Sequence, residues 1–297
     1  MEHPLLLTQI AERPTSLPPP RNASSTLCSV KAFDHFPSFS LAFEAWLFNS
    51  FSTIALRAAL RAVVSLKDRA KGRKWRVFVT GFQGVGFTGY IAVKHLVSKL
   101  KAEPVGVVEV PYLPPFVWME EGRLIAPLQL YGYGDFMFMV VEAVPPARDQ
   151  YGLFKAIADW VVDEGFEEAL LIGGLDQRFR RDESKARCAA TEAYVAKHTL
   201  DIPFIERGLL ITGPLALMLH RFEVREFPAL AILPYAVTER PDPLAAAASI
   251  DIVNKLYGLS VDYGELVKDA ERIEKEVKEF LEKKAAERRR EGVTAYI

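Results

Sequence analysis

The chain has 297 residues, half of them apolar and a quarter charged, enough to bury a sizeable core in one large or two modest domains. A formal net charge of −1 supplies no electrostatic reason to expect nucleic acid or a membrane surface as partner. Cys28 and Cys188 are the only cysteines, and no two of His3, His35, His95, His198 and His220 stand at metal-ligand spacing. This excludes a disulfide framework and a multi-cysteine metal site, and a reducing, cytoplasmic setting fits best.

Residues 1–71 differ from the rest. Ser16 to Arg21 and Asn22 to Thr26 read as extended or disordered chain. An apolar, alanine-rich stretch follows from Leu41 to Leu66, but Glu44, Arg57 and Arg61 interrupt it, leaving runs too short for the roughly 20 residues of a membrane span. No basic patch precedes an apolar run at the start, so a signal peptide is not expected. Three readings stay open for this extension: a surface-packed amphipathic helix behind a floppy arm, a misassigned start near residues 63–66, or an anchor for a membrane or partner. The second is raised by the absence of any methionine between Met1 and Met119.

From Trp75 onward strands and helices alternate. Arg76 to Thr80 is a short run of β-branched and aromatic residues closed by Gly81, a buried strand. Phe87 to Lys101 reads as a helix, Val105 to Val110 as a strand, and Leu124 to Leu130 and Phe136 to Ala143 as further strands. Tyr151 to Glu164 is a predicted helix, Ala169 to Ile172 a strand, Lys185 to His198 a helix, and Phe204-Ile205 a short strand. Gly213 to Arg221 is again helical, Phe227 to Leu233 is the last strand, and Asp242 to Leu256 the last helix of the core. This alternation predicts one α/β domain over 72–260, with a mostly parallel sheet covered on both faces.

Several motifs invite chemistry. Gly84-Val-Gly-Phe-Thr-Gly89 matches G-x-G-x-x-G between a strand and a helix, and Glu109 follows twenty residues later. In a dinucleotide site Gly84, Gly86 and Gly89 would admit the pyrophosphate and Glu109 would hold a ribose hydroxyl. Against this, Phe82 and Gln83 lengthen the loop, and the glycines equally suit a turn with close helix–sheet packing. No Gly-Lys-Ser/Thr follows, so a P-loop is excluded. Gly173-Gly174 ends another strand, and Arg178, Arg180 and Arg181 beyond it either hold an anion or form a solvated loop balanced by Asp176, Asp182 and Glu183. Cys188 falls in a predicted helix as a buried inert thiol. Asp176 and Glu142 could pair as carboxylates, though nothing in the sequence joins them. The aromatic stretches Pro111 to Trp118 and Tyr131 to Gly134 read either as a contact surface or as loops with buried rings.

Gly81 to Gly89, Gly173-Gly174, Pro234-Tyr235 with Pro241 to Ala245, and Asn254 to Leu259 together resemble the successive motifs of the PAC2 family, archaeal relatives of the eukaryotic proteasome assembly chaperones. The resemblance spans roughly residues 75–270. It implies a three-layer α/β/α sandwich similar to nucleoside-phosphorylase folds, homo-oligomerisation, binding to proteasome α subunits, and neither catalysis nor a cofactor. The resemblance then explains the glycine loop as an inherited fold feature without a demonstrated ligand.

From Val261 to Arg290 the sequence has no proline. Tyr263, Leu266, Ala270, Ile273, Val277 and Phe280 form a narrow apolar stripe at 3–4 spacing, and Glu271–Lys275, Glu274–Lys278 and Glu279–Lys283 are acid-before-base pairs. This predicts a charged helical stalk over 261–291 whose last turns project into solvent. Gly292 is expected to end it, freeing 292–297 as a tail. That tail ends Ala295-Tyr296-Ile297, similar to the hydrophobic-tyrosine-any (HbYX) endings by which proteasome activators dock between α subunits. The sequence therefore points to a proteasome-binding factor, either an assembly chaperone or a gate regulator. The alternative is a nucleotide- or dinucleotide-binding enzyme or sensor using the Gly84–Gly89 loop.

Overall fold

The computed structural model describes residues 62–110, 116–120 and 122–294, with side chains through Glu279. The readings that fall on residues 1–61, including Cys28 and most of the apolar stretch, lie outside the described residues, as do those on 111–115 and 295–297. No helix among the described residues is long and apolar enough to cross a membrane.

Among the described residues the strands are β1 (Val63–Leu66), β2 (Val77–Gly81), β3 (Glu103–Glu109), β4 (Trp118–Glu120), β5 (Arg123–Ile125), β6 (Leu128–Tyr133), β7 (Phe136–Val141), β8 (Glu168–Ile172), β9 (Leu175–Asp176), β10 (Ala186–Ala190) and β11 (Ala229–Ala236). The helices are α1 (Thr88–Lys99), α2 (Ala147–Asp163), α3 (Glu192–Val195), α4 (Gly213–Val224), α5 (Pro243–Tyr257) and α6 (Gly264–Thr294).

The main sheet runs β1-β3-β6-β7-β2-β8-β11-β10, with β9 added to β11. Its centre is parallel: β7, β2, β8 and β11 all point one way. The flanks are antiparallel, β1, β3 and β6 on one side and β10 on the other. Buried on both faces, the central strands are continuous apolar runs such as Ala169-Leu-Leu-Ile172. On one face α2 and α4 bury Phe154, Ile157, Met218 and Phe222 against Phe78, Met139 and Leu171. On the other, α1 and α5 bury Leu96, Ala246 and Ile250 against Val79, Leu170 and Ile232, and Leu266 of α6 joins that layer. This is the expected three-layer sandwich.

Four expectations change. Val63 to Leu66, placed in the N-terminal extension, is the edge strand β1 on β3, so the domain begins before residue 72. Leu124 to Leu130 is broken: Arg123–Ile125 pairs with Trp118–Glu120 in a separate hairpin, and Leu128 opens β6. Lys185 to His198 is not one helix; Ala186 to Ala190 pair with β11, and only Glu192–Val195 is helical. Finally, α6 continues through Gly292 to Thr294, so the glycine does not end it. A single glycine costs a helix only about 1 kcal/mol relative to alanine, less than the backbone ladder around it can offset.

Candidate functional site

Parallel strands place their C-terminal ends together, and that is where open α/β sheets bind ligands. Here the ends of β2, β8 and β11 gather the glycine loop, Gly173-Gly174 and the segment leading into α5. The fit is tight. A Cβ on Gly89 would lie 2.0 Å from the Ile172 carbonyl oxygen, and one on Gly81 would lie 2.2 Å from the Gly89 oxygen. A Cβ on Gly174 would come within 2.5 Å of the Val85 oxygen. Gly86 has φ +61° and lies against Ala236 and Asp242. These contacts assign the glycines to close packing of backbone on backbone.

The backbone amides at this corner are engaged as well. Tyr90 N–H donates to the Phe82 carbonyl at 3.2 Å and Phe87 N–H to Gly84 at 3.0 Å. Asp242, 9 % exposed, caps α5 by accepting from the Ala245 N–H at 3.0 Å, while its other oxygen accepts from the Val237 N–H at 2.8 Å. The signal was present in the sequence, since Asp242-Pro243 is an N-cap followed by proline at the first helical position.

Glu109 is elsewhere. Its strand β3 is separated from β2 by β6 and β7, three strand spacings or about 14 Å. Its carboxylate accepts from the Ser65 hydroxyl of β1 at 2.5 Å. A dinucleotide site needs the acid on the strand beside the glycine loop, so Gly84, Gly86, Gly89 and Glu109 do not form one.

Beside the glycine corner lies an open cleft of about 570 Å³. Val85, Leu215, Ile205 and Leu233 line it, with Phe179 and the exposed Leu210 at its edge. Three of its polar side chains are already paired: Gln83 donates to the Glu142 carbonyl, Gln150 to the Pro145 carbonyl, and Asp176 accepts from Arg178. The Arg178 guanidinium holds the Asp176 carboxyl below its ordinary range. Arg180 donates to the carbonyls of Asp182 and Glu183, so neither it nor Arg178 is arranged for an anion.

Glu142 and Asp176 do not pair with each other. Glu142 accepts from the Tyr90 hydroxyl at 2.5 Å and from Lys94 at 3.1 Å. Burial, then the Glu142 hydrogen bond, push the Tyr90 phenol up to about 12. Burial opposes the Lys94 charge, but Glu142 prevails and raises its pKa. Cys188 is buried on β10, and burial pushes its thiol up to about 11, which fits the expected inert role on a strand instead of a helix. His95 Nε2 lies 2.7 Å from the Asp262 carbonyl, and His220 is on the exposed side of α4. Sequence reasoning missed His198, whose Nε2 lies 2.9 Å from Glu168.

The stalk is the second feature. Asn254 closes both hydrogen bonds of Val261, donating to its carbonyl at 2.9 Å and accepting from its N–H at 3.0 Å. Gly258, at φ +64°, turns the chain out of α5. Lys99, at the end of α1, then meets Glu265 at 2.6 Å, and Arg240, before α5 begins, meets Glu274 at 4.0 Å. Helix α6 therefore runs antiparallel to α1 and α5, back toward the glycine corner. Leu266 and Ala270 are buried and Ile273 half-buried, but every side chain from Glu274 to Glu279 is exposed. From Lys275 to Thr294 the helix spans roughly 30 Å at about 1.5 Å per residue.

The PAC2 family model matches residues 78–281. The chain belongs to the PAC2 family. As expected of a PAC2 protein, it is similar to the crystal structure of Pyrococcus furiosus PbaA, an archaeal homolog of proteasome-assembly chaperone. The TM-score is 0.66 at 26% sequence identity, covering 80% of this chain and all of that one. The fold is shared with Pyrococcus furiosus PbaB, an archaeal proteasome activator, at TM-score 0.60 and 22% identity over 74% of this chain and 99% of that one. The uncharacterized protein MJ0106 of Methanocaldococcus jannaschii is 24% identical over 69% of this chain and 85% of its own length.

Proposed function

We propose that this PAC2 protein is a cytoplasmic proteasome-binding factor, not an enzyme, that docks on the α-subunit ring through Ala295, Tyr296 and Ile297 as an assembly chaperone or gate regulator. What supports this is the family membership, the likeness to PbaA, and above all a helix whose side chains are exposed from Glu274 to Glu279 and whose backbone continues to Thr294, one residue before the tail. The chemistry of such docking is simple. The terminal carboxylate pairs with a cation, the Tyr296 ring buries apolar area while its hydroxyl hydrogen-bonds, and Ala295 packs. Alanine is a small anchor, so each tail binds modestly. A homo-oligomer presenting several tails gains affinity through effective concentration. No cofactor is called for.

The test is native mass spectrometry of the full chain mixed with archaeal proteasome α-rings, alongside the Ile297-deleted and Tyr296→Ala proteins. The complex is expected with the wild type and lost with both variants. Equal retention of the variants would refute docking through the tail.

A further inference from the structure

At the opposite end of the sheet from the glycine corner, the first residues of β2, β7 and β8 (Val77, Phe136 and Glu168) line a cavity of about 470 Å³. Tyr257, the last residue of α5, and His198, just beyond α3, belong to the same wall. Two groups there are out of place in a packed core. Glu168 is 9 % exposed, at the head of a strand whose other residues, Ala169 to Ile172, are buried and apolar. A carboxylate taken out of water needs partners, and it can accept several hydrogen bonds. His198 Nε2 lies 2.9 Å from one of its oxygens, and the His198 ring stacks on Tyr194 with 4.3 Å between centroids. The second group is the Tyr257 hydroxyl, which is buried and has no hydrogen-bond partner among the described residues. Burial raises its pKa, and Glu168 is the charge that adds most to the rise. Buried hydroxyls are rarely left unpaired, so the missing partner is one that the chain does not supply.

Charge and shape narrow the class of that partner. Arg76, also in the wall, is taken up by Glu167 at 2.9 Å and Asp135 at 3.6 Å. With Lys197 and Glu168 counted, three carboxylates face two permanent cations, so the wall keeps a surplus of negative charge. The rings of Tyr257 and Phe136 stand edge to face in it, 5.3 Å between centroids. A carboxylate beside aromatic rings suits an ammonium group, which donates N–H bonds to carboxylate and hydroxyl oxygens and is attracted by the rings. An anion is repelled by the same wall. The volume falls within the roughly 300–1,000 Å³ of small-molecule sites.

We infer that this cavity binds a small organic diamine, with one ammonium held by the Glu168 carboxylate and the Tyr257 hydroxyl and the other by Asp135 and Glu167. The last two keep acceptor capacity beyond their bonds to Arg76. Such a ligand joins the starts of β7 and β8 to the end of α5. It stiffens Tyr257 next to Gly258, where the chain turns out of α5 toward α6.

The experiment titrates the full chain with putrescine by calorimetry at physiological salt, and with butanediol as a neutral ligand of the same length. Putrescine is expected to bind saturably, with a dissociation constant on the order of 1 mM or tighter, and butanediol not measurably. Glu168→Gln keeps the shape of the side chain and should weaken putrescine on the order of tenfold, and Tyr257→Phe, which removes only the hydroxyl, a few-fold. Circular dichroism checks the fold of both variants. Should Glu168→Gln fail to fold, Tyr257→Phe and the diol still decide. Hydrogen exchange locates the ligand: putrescine should slow exchange over Tyr194–His198 and Asn254–Gly258. No saturable binding by the wild type overturns the site and leaves ordered water as the partner of the Tyr257 hydroxyl. Equal binding of the diol, equal affinity of Tyr257→Phe, or slowed exchange only elsewhere in the chain overturns it as well.

Discussion

The backbone N–H of Asp242 donates to the carbonyl of Gly86 at 2.8 Å, fastening the glycine loop to the start of α5. A Cβ on Gly86 would lie 3.0 Å from the Asp242 Cβ and 2.9 Å from the Ala236 Cβ. The loop that resembles a phosphate cradle is filled by the protein itself. Gly86→Val adds both a clash and a left-handed φ that valine resists, and is expected to destabilise by about 2–4 kcal/mol. Chemical denaturation reads this. In parallel, nucleotides and dinucleotides should leave the melting temperature of the wild type unchanged. A clear ligand-dependent rise, abolished by Gly86→Val, would revive the nucleotide-binding alternative.

Asp242 satisfies two backbone N–H groups with its two carboxylate oxygens while nearly buried. Asp242→Ala removes the α5 cap and leaves the Val237 N–H without this acceptor, so it should cost about 2–3 kcal/mol. Asp242→Asn retains one acceptor and should cost less. Equal stability of the alanine variant in urea would show that water replaces both bonds.

Asp159 on α2 contacts Arg221 at 2.6 Å and Arg225 at 2.7 Å on α4, and Lys155 at 2.8 Å on its own helix. Burial raises its pKa, but the hydrogen bonds from Lys155, Arg221 and Arg225 outweigh this and bring it down to about 2. A depressed carboxylate pKa stabilises the fold above the unfolded value near 4, and that contribution is lost as pH falls toward 2. With solvent screening the contribution is about 1–2 kcal/mol. Asp159→Asn should therefore unfold at lower urea than the wild type at pH 6, and the gap should narrow progressively between pH 4 and pH 2. A gap independent of pH would refute the electrostatic account.

Cys188 is buried, its Sγ 3.2 Å from the Ile202 carbonyl, with a thiol pushed up to about 11. In a Cys28→Ser background the folded protein should give no reaction with a disulfide reagent at pH 8, and one thiol per chain once unfolded. Fast labelling of the folded form would mean that β10 opens readily.

Much of the sandwich was legible because its central strands are short apolar runs bounded by turn residues, and burial on both faces demands that composition. Lys185 to His198 misled because Cys188, Ala189 and Ala190 have no strong strand preference; pairing with β11 decides their conformation. Glu109 misled for a topological reason. Its twenty-residue offset suggested a neighbouring strand, but β6 and β7 come later in the chain and insert between β3 and β2. The role of Asn254 was hidden because its partner, Val261, lies beyond the end of α5. The apolar stripe of α6 was legible over its first turns, where Leu266 and Ala270 are buried.

Asn254 carries the last prediction, because it links the body to the stalk. Its two hydrogen bonds with Val261 fix the turn between α5 and α6, and Leu266 and Ala270 then seat the helix. Asn254→Ala removes both bonds and should cost about 1–2 kcal/mol, mostly within the stalk's base. Hydrogen exchange is expected to rise over 261–273 while the sheet stays protected. Affinity for α-rings should fall only modestly, because each tail is intact but its direction is less fixed, and multivalent binding is sensitive to that geometry. Affinity equal to the wild type despite faster exchange at the base would show that orientation of the stalk is immaterial. A loss as complete as that expected from deleting Ile297 would place the binding determinant in the stalk's base instead of the tail.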